Sequence, residues 1–313
     1  MQMGTLCGRV QFGRLALAGS VWAAALWLSL GGACAAGELV VRLPRAEAGN
    51  ELRHAYFCDV LKLALDATSA SDGPYRLEQT TETMVFAMRG VRCLKLGEDV
   101  DVLWLMSSSE LERDLLPVRV PLLKGLAGCR ALLVRRADLP QFAAITDLKG
   151  LQRFVAGEGE GLPEVATLQA NGLKVEQGKA GCSLFEMLGR RRFDFMPCCI
   201  CEAWGALQAH PDEELAIEPH LLIHYPAAIY FFVNPQASAL ADRLERGLKA
   251  ALADGTFDAC FLRHHGESLR HLQLANRTVL ELAPGETAAA VEPAMKADWL
   301  LQLARQVQDN VQP

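Results

Sequence analysis

Between residues 39 and 265, short β-rich runs alternate with apolar stripes at helical spacing. A chain patterned this way is restricted to an α/β fold in which helices cover a largely parallel sheet. The first run, Leu39-Val40-Val41-Arg42-Leu43, stops at Pro44. Phe57, Val60, Leu61, Ala64 and Leu65 then fall at i, i+3, i+4, i+7 and i+8, which predicts an amphipathic helix. Asp72-Gly73-Pro74 turns the chain into a second strand at Tyr75-Arg76-Leu77. Met84, Met88 and Val91 mark a second helix broken at Gly97, and residues 100–106 read as a third strand.

A long extended passage marked by Pro117 and Pro121 follows and leads into Cys129-Arg130-Ala131-Leu132-Leu133-Val134-Arg135. Further strands are expected at residues 154–157, 173–175 and 193–196, with a helix stripe at Leu184, Phe185 and Leu188 that ends at Gly189. Residues 223–233 form a second extended apolar passage, stopped by Asn234-Pro235. Leu240, Leu244, Leu248 and Leu252 then recur every fourth residue before Gly255. At 313 residues the chain exceeds the roughly 250 at which one core tends to split. The two extended passages therefore read as crossings between lobes, together a two-segment hinge. The expected divisions are a first lobe over 36–128, a second over 129–225, a return to the first over 226–275, and a polar tail over 276–313.

The first 35 residues have the order of an export signal. Arg9 and Arg14 precede an apolar run over residues 15–30, and Gly31-Gly32-Ala33-Cys34-Ala35-Ala36 supplies an A-x-A site for cleavage after Ala35 or Ala36. The run is shorter than the ~20 residues needed to span a bilayer. Cys34 after small residues also suits lipid attachment, although Leu30 stands one position early for it. The expected location is periplasmic. Net charge is −6, and the leader takes away two arginines and no acid, so nothing draws the mature chain to nucleic acid. Export permits disulfides among the eight remaining cysteines, with no pairing readable from their spacing.

Several local motifs, in order, resemble the bacterial family 3 solute-binding proteins. Val100-Asp101-Val102 followed by Ser108 to Glu112-Arg113 is similar to that family's D-V…S-x-T-x-E-R segment, and Asp147-Leu148-Lys149-Gly150 to its D-L-K-G. Leu188-Gly189-Arg190-Arg191-Arg192-Phe193-Asp194 resembles its L-x-x-G-R-x-D with the glycine displaced, and Ala253-Asp254-Gly255-Thr256-Phe257 its A-D-G-T. The resemblance implies an α/β, two-lobed periplasmic binding protein type II-like fold with an interlobe cleft. It also implies capture of a small polar solute by a monomer, for an ABC transporter permease or a membrane sensor, with no cofactor and no catalysis.

In such a cleft ligands meet the carboxyl ends of the strands. By position Arg113 resembles the arginine that forks onto a ligand carboxylate, with Ser108 adding a hydroxyl. Glu110 stands where the family has threonine and would repel a carboxylate. Cys198 stands four residues beyond Asp194, where amino-acid binders commonly place an acid for the ammonium group. Both departures point away from an ordinary amino acid. Glu158 and Gly159, in the glycine-rich stretch before a helix, and Glu202 complete the expected cleft lining.

Two rival readings remain. Cys198, Cys199 and Cys201 after a strand suit a soft metal, a disulfide or a buried inert cluster. A lyase-like enzyme on the same fold would use Glu110, Glu202 or a histidine as acid or base. No G-x-S-x-G, H-E-x-x-H or Walker loop is present. His264, Glu267 and His271 share a helical face only if the helix survives Gly266, which is expected to end it.

Overall fold

The computed structural model describes residues 38–46, 51–83, 87–179 and 182–284. The expected signal, with Cys34, lies outside the described residues. Chain order in the first part is β1 (Leu39–Arg45), α1 (Glu51–Ala67), α2 (Ser69–Asp72), β2 (Tyr75–Thr83), α3 (Ala87–Leu96), β3 (Val102–Met106), α4 (Ser109–Asp114) and β4 (Leu116–Val118). The middle part holds β5 (Cys129–Arg135), α5 (Leu139–Phe142), α6 (Leu148–Leu151), β6 (Val155–Gly159), α7 (Pro163–Ala170), β7 (Lys174–Gly178), α8 (Cys182–Gly189), β8 (Phe195–Cys199), α9 (Ala203–Gln208), β9 (Leu215–Ile217) and β10 (Leu221–His224). The return holds β11 (Ile229–Val233), α10 (Ser238–Asp254), α11 (Thr256–His271) and β12 (Thr278–Glu281). No helix among the described residues is long and apolar enough to cross a membrane.

The strands fall into two territories. β1 pairs with β2 in parallel, and β11 lies antiparallel between β3 and β4. These are two separate sheets, and a third, seven-stranded one runs β12-β10-β5-β8-β6-β7, with β9 also on β5. Both strand sets alternate with helices as expected, yet the sheets are mixed: β5 is antiparallel to β8, β9 and β10. The reason is connectivity. A helical crossover forces parallel neighbours, whereas β5 and β11 are each reached by an extended crossing that imposes no such direction.

Alternation along β3 and β11 explains why their runs are continuously apolar. Val102, Trp104, Phe231 and Val233 enter the main core, while Leu103, Leu105, Tyr230 and Phe232 enter a second core on the opposite face with Leu94 and Val100. The main core also takes the apolar face of α1 (Tyr56, Phe57, Val60, Leu61, Ala64, Leu65) and Leu244 and Leu248 of α10. α10 crosses α1 closely at Gly247, where a Cβ would sit 1.9 Å from the Ala64 carbonyl oxygen.

Two features differ from expectation. α11 runs through Gly266 to His271, because Phe257, Phe261, His265 and Leu269 continue one buried face past it. The roughly 1 kcal/mol that a helical glycine costs is small against that burial. Thr278–Glu281, within the expected tail, pairs in parallel with β10 and extends the seven-stranded sheet at its edge.

The segments expected to cross between lobes include residues 119–128, after β4, and 225–228, before β11. They lie against each other: Leu122 N donates to Ile229 O at 2.9 Å and Tyr225 N to Gly128 O at 3.2 Å. Leu122, Leu126, Ala127, Tyr225 and Ala227 carry the main core from one lobe into the other.

Candidate functional site

The second-lobe residues that the sequence singled out gather around a buried arginine that it did not. Arg130 stands in β5, whose seven residues are all buried. A guanidinium in such a strand requires partners. Its NH2 donates to Glu164 Oε1 at 2.5 Å and its Nε to the Tyr225 hydroxyl at 2.9 Å. Burial opposes its charge, but Tyr225, Glu164, Cys199 and Glu158 together raise its pKa. Glu164 enters from the first turn of α7, which Pro163 starts. Its second oxygen, Oε2, is buried without a hydrogen-bond partner.

Glu158 lies beside this pair at the end of β6, 7% exposed. One of its oxygens accepts from Gly159 N at 3.0 Å. Burial first, and then the neighbouring Glu164, push its carboxyl up to about 7, with Arg130 and the Gly159 amide acting the other way. Cys198 is half-buried at the end of β8, and burial raises its thiol pKa well above the ordinary range. Cys199 accepts a hydrogen bond from Cys201, which lowers the first thiol and helps to raise the second, where burial dominates. Glu202 precedes α9 without capping it and instead pairs across to Arg53 of α1 at 3.3 Å. That ion pair ties α1 to the turn between β8 and α9.

The first-lobe candidates stand apart. Ser108 is the N-cap of α4, its Oγ accepting from Leu111 N at 3.2 Å. Arg113 is on that helix rather than on an extended segment, its side chain 71% exposed and 3.7 Å from Asp114. Glu110 is exposed in the same turn. None of the three is hydrogen-bonded or ion-paired to the Arg130 group. The neighbouring Ser107 donates to Glu112, which also holds Arg119. Thus Glu158, Gly159, Cys198 and Glu202 come together with Arg130, Glu164 and Tyr225, while Ser108, Glu110 and Arg113 stand apart from them on α4 and its N-cap.

Other motif residues serve the scaffold. Asp194 accepts from Val155 N at 2.8 Å, fixing β6 to the turn before β8. Arg135 donates to the carbonyls of Leu188 and Phe193, both at 2.7 Å. Asp147 caps α6 through Gly150 N at 2.7 Å. The described cysteines Cys58, Cys93, Cys129, Cys198, Cys199, Cys201 and Cys260 are all free. Among the described residues the sulfurs of Cys198, Cys199 and Cys201 do not converge as a metal would require; one set of three donors does, Asp59, Cys260 and His264.

A separate cavity of about 460 Å³ lies between α9, β9 and the end of α11, lined by Trp204, Ile217, His271 and Arg277 among others. Arg277 there is spent on the backbone carbonyls of Glu218, Leu221 and Leu272. It contributes to holding β10 and β12 rather than to a ligand.

No family model matches the chain, and no curated protein matches it. Solved structures do. An ancestral arginine-binding protein bound to arginine aligns with a TM-score of 0.53 at 16% identity, over 72% of this chain and 97% of that one. An arginine-specific periplasmic binding protein of Salmonella typhimurium gives 0.52 at 12% identity, over 72% and 98%. The VFT2 domain of BvgS from Bordetella pertussis gives 0.56 at 16% identity, over 72% and 92%. At these identities the likeness is one of architecture, and with the three sheets and the paired extended segments it establishes that this chain has the two-lobed fold of the periplasmic binding proteins.

Proposed function

We propose that the chain is an exported, periplasmic solute-binding protein whose lobes close on a small polar solute carrying a basic group. Catalysis has no part in this reading. The observation that carries it is Glu164 Oε2, a buried acceptor without a partner, beside the carboxyl of Glu158. Buried polar atoms in folded proteins are nearly always satisfied, and an ammonium or guanidinium seated between the two acids would satisfy this one. It would also draw Glu158 into its ionised form. This acid pair takes the place of the single acid that Cys198 replaces, so the departure at Cys198 does not bar a basic ligand.

Ser108 and Arg113 are proposed to meet the solute from the first lobe at the carboxyl end of β3, where open α/β sheets take their ligands. Glu202 and Arg53 close the rim. The lobes divide near residues 128 and 225, and closure turns on the two crossings, driven by the solute's better contacts with the closed form. The protein acts as a monomer and presents the closed form to an ABC transporter permease or a membrane sensor. The neighbours of this architecture support that reading, several of them being described as substrate-binding proteins or as binding arginine.

The test is a melting panel of amines, guanidines, amino acids and organic acids, since a ligand of the native state raises the midpoint. A basic solute should raise it in the native chain and not in Glu164→Gln. A rise given only by organic acids would overturn the basic-group assignment. Recovery of the bound solute chemically unchanged separates binding from turnover.

A further inference from the structure

We propose that Asp59, Cys260 and His264 form a surface site for a borderline divalent transition metal such as Zn²⁺, stapling α1 to α11. Their donor atoms all lie within 4.8 Å of one another. A tetrahedral zinc with bonds of about 2.0–2.3 Å holds its ligands roughly 3.3–3.8 Å apart, so small side-chain adjustments complete the set. The sequence supplies the geometry. Cys260 and His264 are four residues apart on α11 and therefore share a face, the spacing by which helical ligand pairs hold zinc. Asp59 arrives from α1 packed alongside.

Two contacts already hold the set together. His264 Nε2 is 2.8 Å from Asp59 Oδ2, and the Tyr56 ring packs edge-on against the imidazole at 5.4 Å, fixing its plane. The Asp59 side chain is 44% exposed and that of His264 18%, which leaves a solvent side for a fourth ligand, a water. One thiolate, one imidazole and one carboxylate is a donor set suited to Zn²⁺ and its first-row neighbours and poorly suited to Mg²⁺ or Ca²⁺. Binding releases the Cys260 thiol proton to solvent, and the thiolate and carboxylate then balance the two charges of the ion.

The guanidinium of Arg263 occupies the position where that charge belongs. It donates to Asp59 Oδ2 at 3.0 Å and approaches Cys260 Sγ at 3.5 Å. Its side chain is 62% exposed, so solvent receives it when the metal displaces it. Arg263 therefore competes with the metal. The site is separate from the Arg130 group and independent of the solute-binding reading.

The experiment is a Co²⁺ titration of the full chain, followed by absorbance and then by Zn²⁺ displacement. A sulfur-to-cobalt charge-transfer band with tetrahedral ligand-field bands should saturate at one equivalent. Cys260→Ser should abolish the charge-transfer band, while His264→Ala and the surface variant Asp59→Asn should weaken binding by more than the roughly 10–100-fold typical of outer-shell changes. Arg263→Gln should tighten it by about tenfold or more. Absence of the bands at stoichiometric cobalt would overturn the proposal, as would bands unchanged in Cys260→Ser and His264→Ala, which would put the cobalt on other thiols. Circular dichroism identifies any variant that has unfolded, and Asp59→Asn with Arg263→Gln then decides by their opposite signs.

Discussion

Gly128 and Tyr225 touch backbone to backbone where the two crossings meet: a Cβ on Gly128 would lie 1.7 Å from the Tyr225 carbonyl oxygen. Tyr225 is also the residue whose hydroxyl receives Arg130. Tyr225 therefore joins the paired extended segments to the buried charge cluster.

Gly128→Ala forces backbone apart, because the atoms it meets are the carbonyl carbon and oxygen of Tyr225 and no flexible side chain can give way. The expected cost is about 1–3 kcal/mol, the range for overpacking, seen as a midpoint lower by several degrees. Gly205→Ala is the control, with nothing within 4 Å of the added methyl. Equal midpoints for the two variants would show that the crossings can separate freely.

The carboxyl of Glu158 titrates at about 7 in the folded protein against an ordinary 4.5. The folded state then holds a proton that the unfolded chain has released, so stability falls as pH rises from about 4.5 to about 7 and is level above. Glu158→Gln should remove that slope and stabilise the protein at pH 8 by on the order of 3 kcal/mol. Denaturant unfolding at several pH values reads it. A slope unchanged in the variant would assign the proton elsewhere.

His265 gives the opposite slope. Its Nδ1 faces the Cys201 carbonyl at 3.3 Å and must carry the proton, because a carbonyl only accepts, and its Nε2 is buried without a partner. Burial lowers its pKa from 6.5 to about 4. The unfolded chain takes up a proton first as pH falls through 6.5, so stability is lost from there down to about 4. Where the windows of Glu158 and His265 overlap, the two slopes oppose each other. His265→Phe, which keeps the ring packing on Tyr56 at 4.3 Å, should protect the protein at pH 5 relative to pH 8. Equal acid sensitivity in the variant would refute this assignment.

Arg53 and Glu202 are both partly exposed, so their interlobe ion pair is worth no more than ~1 kcal/mol. Arg53→Ala should weaken solute binding by about fivefold at most, measured by calorimetry. A loss beyond hundredfold would mean that Arg53 contacts the solute itself.

Much of the architecture was legible because burial writes a period into the chain. The alternation through β1, α1, β3 and α10 located those elements, and Pro117 and Pro121 marked the extended passage around β4. The short strands β9 and β12 escaped notice since three or four residues carry no period. α11 outran its glycine because tertiary burial outweighed local propensity. Glu158, Cys198 and Glu202 were singled out from the sequence, and the structure sets them near Arg130; their contact with a solute is the proposal. Tyr225 was not, standing 95 residues from Arg130 in sequence. Arg130 itself did leave a signal, a charge inside an apolar strand, whose partner Glu164 looked like an ordinary first-turn acid. Arg113 was singled out by its motif, but its exposed place on α4 was not legible, because it depends on how that helix packs, which no local pattern reveals.

The central claim is that the lobes close on a solute about the two crossings. Small-angle scattering of a chain starting at Ala36, with and without a saturating basic solute taken from the melting panel, tests it most directly. A smaller radius of gyration in the bound state, lost in Glu164→Gln, is the predicted result. Unchanged dimensions at saturation would contradict it.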